Sequence, residues 1–163
     1  MANTPNVEGQ RQDLENVAAG TGRSFMSFYI QLAQIVNSTD LITAYPLNFK
    51  GRILAMNFVT QSKVTTSGKA ATLTPKLKSG TTTTTVTGGV VSLTSALATP
   101  EGTPILGTAI TALNRFNAGD SLTISATAVT AFSEGTGYLI VEFANDDTLG
   151  AIARANTMFN PWP

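Results

Sequence analysis

Glu134 and Glu142 are the residues whose type best suits chemistry. Two carboxylates flanking one glycosidic bond can divide the acid and nucleophile roles, provided their surroundings hold their pKa values apart. Glu134 lies in a turn, Ser133-Glu134-Gly135. Glu142 lies on an apolar run, 137–143, on the side away from Leu139, Val141 and Phe143. Nothing in the flanking residues sets the two environments apart, so the pair is not expected to work as a catalytic couple. The chain has no His and no Cys. That removes the usual base for a Ser or Thr nucleophile, the thiol nucleophile and the commonest zinc ligands. No Ser has a Lys three residues further on. Asn145-Asp146-Asp147 could offer oxygen ligands to Ca²⁺, but it lacks the spacing of an EF-hand loop and reads as a turn. Gly20-Thr21-Gly22-Arg23 and Gly135-Thr136-Gly137 lack the Gly-Lys-Ser/Thr ending of a phosphate loop and read as positions of positive φ. The expectation is a protein that is not an enzyme, with no catalytic residues, no cofactor and no metal.

The elements that carry these residues are β-like. A Thr/Ser/Gly/Ala-rich pattern runs from Val64 to Phe143, and β-branched residues suit a pleated surface. At 163 residues the chain suits one domain with a real core. Charged residues are only 12%, about half the usual share. Hydroxyls replace them and leave a surface with little charge to discourage association. Between Leu41 and Pro100 stand the bases Lys50, Arg52, Lys63, Lys69, Lys76 and Lys78 and no acid. From Glu101 onward acids dominate: Glu101, Asp120, Glu134, Glu142, Asp146 and Asp147, against Arg115 and Arg154. Either the two sets are solvated faces of neighbouring strands or they meet across subunits and set register. The bases are spread out with no interleaved stacking aromatics, so nucleic acid is not an expected partner. No run approaches the roughly 18 apolar residues of a membrane span, and no membrane partner is expected. The first residues show no signal-peptide pattern, which makes a cytoplasm the expected place of synthesis.

Residues 1–24 read as a polar N-terminal arm with Leu14 and Val17 as its apolar anchors and a possible short helix over Arg11 to Ala19. Residues 25–144 read as a β-sandwich of jelly-roll type with about eight strands. Phe25 to Val36 fits a strand with Met26, Phe28, Ile30, Leu32 and Val36 on one face; a helical stripe fits it almost as well. Leu41 to Phe49 is extended but holds Pro46, which suits an edge or a bend. Arg52 to Thr60 places Leu54, Met56 and Phe58 on one face. Ala70 to Lys78 alternates clearly, with Ala71, Leu73 and Leu77 opposed to Thr72, Thr74, Lys76 and Lys78. Thr81 to Thr85 has no apolar face and is expected as an edge or loop-like strand, with weakly specified register. Val90 to Thr94, Ile105 to Thr111, Ser121 to Thr127 and 137–143 complete the strands. Residues 145–163 read as a C-terminal tail whose Phe159 and Trp162 could anchor on a neighbouring subunit.

Phe49-Lys50-Gly51-Arg52-Ile53-Leu54, Val64-Thr65-Thr66, Ala70-Ala71-Thr72-Leu73-Thr74, Val86 to Leu93 and Asn117 to Ile124 resemble small head proteins of tailed bacteriophages. Those proteins are of the decoration, or cement, type. The resemblance covers roughly residues 49–143. It implies a β-sandwich, frequently trimeric, bound to the major capsid protein on the capsid exterior of the virion, with no catalytic residues. The expected function is therefore structural: decoration and stabilisation of a phage head, with self and the major capsid protein as partners. Leu14, Val17, Phe159 and Trp162 are the candidate interface residues. The alternative is a head-fibre or tail-associated module that contacts host glycans or receptors.

Overall fold

Alternation fixes the strands. In β4 (Ala70–Ser79) every second residue from Ala71 to Leu77 is buried and those between are half-exposed, as a sheet with one wet face requires. The structure, a computed structural model, describes residues 23–146. Leu14, Val17, Phe159 and Trp162 lie outside the described residues. The other strands are β1 (Arg23–Gln31), β2 (Asp40–Pro46), β3 (Gly51–Ser62), β5 (Thr82–Thr85), β6 (Val91–Thr94), β7 (Pro104–Leu106), β8 (Arg115–Phe116), β9 (Ser121–Thr130) and β10 (Thr136–Asn145). They form two five-stranded antiparallel sheets. The first runs β1-β10-β3-β7, with β8 also on β3; the second runs β2-β9-β4-β5, with β6 also on β4.

β5 and β6 share one side of β4, and β7 and β8 share one side of β3. Each couple therefore fills one strand position. Ten strands then occupy eight positions, in the order of a jelly roll. The chain closes one side of the sandwich itself: residues 87–90 exchange backbone hydrogen bonds with 108–112, joining the edges of the two sheets. On the opposite side β1 and β2 face each other, and the Phe28 and Tyr45 rings meet edge-on at 5.1 Å.

The core lies between the inner faces. Phe58, Met56, Leu73, Ile124 and Leu139 are fully buried there. At one end the Phe49, Phe116 and Phe143 rings pack mutually edge-to-face at 5.1–5.7 Å, the arrangement that ring quadrupoles favour.

Three expectations need correcting. In β3 the buried residue is Ile53, and Leu54 is half-exposed. Glu142 pairs with Ala55 and Phe143 with Ile53, which leaves Leu54 as the extra residue of a β-bulge and reverses the strand's phase before it. β1 ends at Gln31 in a 3₁₀ turn, Leu32–Gln34. That turn buries Leu32 and Ile35 and leaves Val36 55% exposed. The strand expected over Ile105 to Thr111 keeps only Pro104–Leu106, because the chain then crosses to residues 87–90. Gly107 fits where any Cβ would overlap the Met56 carbonyl. Gly51, the first residue of β3, is pressed beneath the Ala144 carbonyl. The edge placements of Pro46 and of the Thr run hold: β2 and β5 are both outermost strands.

Candidate functional site

The two outer faces of the sandwich differ in kind. Register places side chains in rows across a sheet. On the first sheet the outward rows are Tyr29, Tyr138, Val59 and Pro104; Ser27, Ile140, Asn57 and Leu106; then Phe25, Glu142 and Ala55. Their inward neighbours Met56, Phe58, Leu139 and Val141 already fill the core. So among the described residues this face carries a second apolar layer that no other element covers. Phe25 is 64% exposed, Tyr29 51% and Leu106 69%. Tyr29 and Tyr138 contact each other at 5.6 Å. Asn57, the polar centre of the middle row, accepts a hydrogen bond from the Gly107 N–H at 3.3 Å.

Charge on this face gathers at one end, where two ion pairs form within the chain. Arg23 donates to Glu142 at 2.7 Å and Arg115 to Asp146 at 3.3 Å. The bulge at Leu54 is what turns Arg52 and Leu54 outward here.

The second sheet shows water a hydroxyl face. Thr72, Thr74, Lys76 and Lys78 of β4 stand beside Thr127, Ser125, Thr123 and Ser121 of β9 and Ser92 of β6. The edge strand β2 covers part of it, so Thr123 and Ser125 are buried. Both are satisfied: Thr123 Oγ1 accepts from the Ala44 N–H at 3.2 Å and Ser125 Oγ donates to Asp40 at 2.5 Å. Asp40 also pairs with Lys76 at 3.8 Å.

The Thr run explains a third feature. Ser79 pairs with Thr82 and Leu77 with Thr84, so Thr82 and Thr84 point inward with Leu77. Hydroxyls there do not close over the core. A groove of about 520 Å³ remains, lined by Leu77, Thr82, Thr84, Leu113, Arg115 and Asp120 among others.

The carboxylates singled out first are not brought together. Glu134 Oε1 accepts from the N–H and Oγ1 of Thr65, at 2.8 and 2.5 Å, and from those of Thr66, at 2.7 and 2.9 Å. The Thr65 side-chain and backbone bonds, then those of Thr66, lower its pKa to about 2. It is a clamp between two loops. Glu142 lies six residues beyond Thr136 on β10, about 20 Å along an extended strand, and it is engaged by Arg23. Asp146 is engaged by Arg115, and Asp147 lies outside the described residues. Among the described residues no three His, Cys, Asp or Glu side chains gather as a metal would require. Gly135 has φ +97°, as a turn glycine; Gly137 does not, and is instead held tight against Phe58 and Val59.

Sequence reasoning missed the apolar outer face. Its signal was present in the segments where both alternating sets are apolar: Phe25 and Tyr29 against Met26, Phe28 and Ile30, and Tyr138 and Ile140 against Leu139 and Val141.

Comparison of the chain with protein-family profiles, with curated proteins and with solved structures finds no match.

Proposed function

We propose that this chain is a non-enzymatic structural protein that acts by surface contact, docking the outer face of its first sheet onto a protein shell. The observation that carries the reading is the surplus apolar layer of Tyr29, Tyr138, Val59, Ile140 and Leu106, outside a core that is already complete. Contiguous apolar surface beyond what folding uses marks an interaction site. The hydroxyl face on the opposite side suits the water-facing surface of a bound copy. The resemblance to phage decoration proteins supplies the shell: a tailed-phage capsid exterior built from the major capsid protein, with the decorating protein a homotrimer.

Co-sedimentation with purified head shells tests this. Leu106→Ser removes a side chain that is 69% exposed. Burying two-thirds of a leucine is worth about 1–2 kcal/mol, so shell affinity should fall about tenfold with the urea midpoint unchanged. Wild-type protein that stays in the supernatant with its own shells would sink the proposal.

The groove beside β5 favours a second reading. Its Thr82, Thr84, Thr111 and Asn114 side chains, flanked by Arg115 and Asp120, offer the donors and acceptors that bind sugar hydroxyls. A glycan array probed with wild type and Thr84→Val separates this reading from the first: binding lost in the variant supports it, and an empty array removes it.

A further inference from the structure

Strands at the margin of a sheet expose a row of backbone donors and acceptors, and proteins that must stay apart blunt them. The two margins on the open side of this sandwich are treated differently. β2 is blunted: it holds Pro46, two register shifts against β9, and Ala44 at φ +49°. β1 is not. Over nine residues it pairs with β10 without a single shift, and it contains no Pro, Gly or Lys. Among the described residues β10 is its only partner strand.

The outward residues of β1 read Arg23, Phe25, Ser27, Tyr29, Gln31. The series is symmetric in kind about Ser27, with an aromatic ring two positions away on either side. An antiparallel partner with the same sequence, centred on Ser27, places Phe25 opposite Tyr29 twice and the small Ser27 opposite itself. Arg23 then meets Gln31, so no like charges face each other. Aromatic cross-strand pairs of this kind favour pairing, and a surface that is its own complement across a two-fold axis makes an isologous contact.

We infer that β1 is a self-pairing edge: two copies of this chain join β1 to β1, antiparallel, and merge their first sheets into one continuous sheet. Phe25 and Tyr29 are 64% and 51% exposed. At about 200 Å² per ring residue they alone offer about 230 Å², over a quarter of the roughly 800 Å² each partner gives a standard interface. The chain's formal net charge is zero, so long-range repulsion does not oppose the approach. The inference goes beyond capsid decoration and stands without it. The contact adds a two-fold operator, so a monomer becomes a dimer and a trimer formed elsewhere on the surface is linked to further trimers.

Ser27 is exposed, so substitutions there leave the fold intact, which thermal unfolding checks. Ser27→Lys and Ser27→Asp each set like charges opposite one another at the two-fold, and each should weaken self-association of the full chain about tenfold. Mixing the two variants in equal amounts should restore it, since Lys then faces Asp. Light scattering and sedimentation equilibrium give the copy number. The inference is overturned by wild-type chain that stays monomeric at tens of micromolar, or by copy numbers that Ser27→Lys and Ser27→Asp leave unchanged. Shell binding measured with Leu106→Ser is a separate readout, so failure here and failure of the docking reading are distinguishable.

Discussion

Replacing Ile53 and Leu54 by alanine, one at a time, tests the phase of β3 and with it the face presented to a partner. Ile53 is fully buried between the sheets, and Leu54 is half-exposed on the outer side. Truncating a fully buried Ile costs about 2–5 kcal/mol through lost transfer energy and the cavity left behind. Leu54 has about half its side chain in water, so its truncation costs about 1 kcal/mol. Urea unfolding followed by far-ultraviolet circular dichroism reads both. With a slope of about 2 kcal/mol/M, Ile53→Ala should lower the midpoint by about 1.5 M and Leu54→Ala by about 0.5 M. The pair should be made in the Ser27→Lys background, because self-association adds a concentration-dependent term to stability. Deleting Leu54 sharpens the test. Between Gly51 and Thr60 only Leu54 lacks a partner on β10, so its loss leaves Arg52 and Ala55 outward and Ile53 and Met56 inward. The deletion variant should fold, whereas removing one residue from a regular strand would invert half of it. A midpoint for Leu54→Ala as low as that for Ile53→Ala, or an unfolded deletion variant, would refute the bulge and the outward placement of Arg52.

Two further perturbations probe the clamp and the tight glycine. Glu134 has its pKa lowered from 4.5 to about 2 by the Thr65 and Thr66 hydrogen bonds. A carboxylate with a depressed folded pKa contributes stability that is fully present above its unfolded value and lost as pH falls through the folded one. The 65–66 and 133–135 loops should therefore loosen between about pH 4.5 and pH 2. Glu134→Gln should remove that dependence, and a carboxyl NMR titration with a midpoint near 4.5 would show that the clamp does not form. Gly137→Ala places a methyl group into the Phe58 ring and the Val59 carbonyl; overpacking of this kind costs about 1–3 kcal/mol, read as a lower urea midpoint, while an unchanged midpoint would mean β10 and β3 are less closely apposed.

How far the sequence reveals this architecture depends on how each strand's other face is built. β4, β9 and the last half of β10 alternate apolar with polar or exposed residues, and their inward sets are readable without the structure. The failure at β3 has a definite cause. Ile53, Leu54, Ala55 and Met56 are all apolar, so an extra residue among them leaves no mark on the pattern. Its place is set by the partner strand, where the consecutive Glu142 and Phe143 pair with Ala55 and Ile53, two apart in the count. The end of β1 was hidden similarly, because Leu32 and Ile35 suit a strand, a helix or the 3₁₀ turn that buries them. Continuity from Ile105 to Ile110 conceals the crossing to residues 87–90, which rests on backbone pairing that side chains do not encode. The apolar outer face was hard to see for the opposite reason. Apolar residues at both odd and even positions of β1 read as ambiguity of period, when they describe one strand that is apolar on its core side and on its outer side.

Phe25 and Tyr29 belong both to the β1 edge and to the outer apolar face, so the two proposed contacts are coupled in space. A two-fold axis perpendicular to the sheet keeps both outer faces on the same side, and a β1 pair would present twice the width of docking surface to one shell. Once one copy is bound, its partner meets the shell at an effective concentration set by the rigid pairing, in the millimolar range for closely tethered sites. Ser27→Lys leaves every apolar residue of the docking face unchanged and alters only a small polar residue on its marginal strand, yet it should weaken shell binding about tenfold to a hundredfold by removing that second engagement. Leu106→Ser, in contrast, should weaken binding in the paired and the unpaired backgrounds alike. Equal shell affinity for wild type and Ser27→Lys, with pairing lost in the variant, would show that the second face does not reach the shell. The coplanar arrangement of the two faces would then be wrong even if β1 pairs.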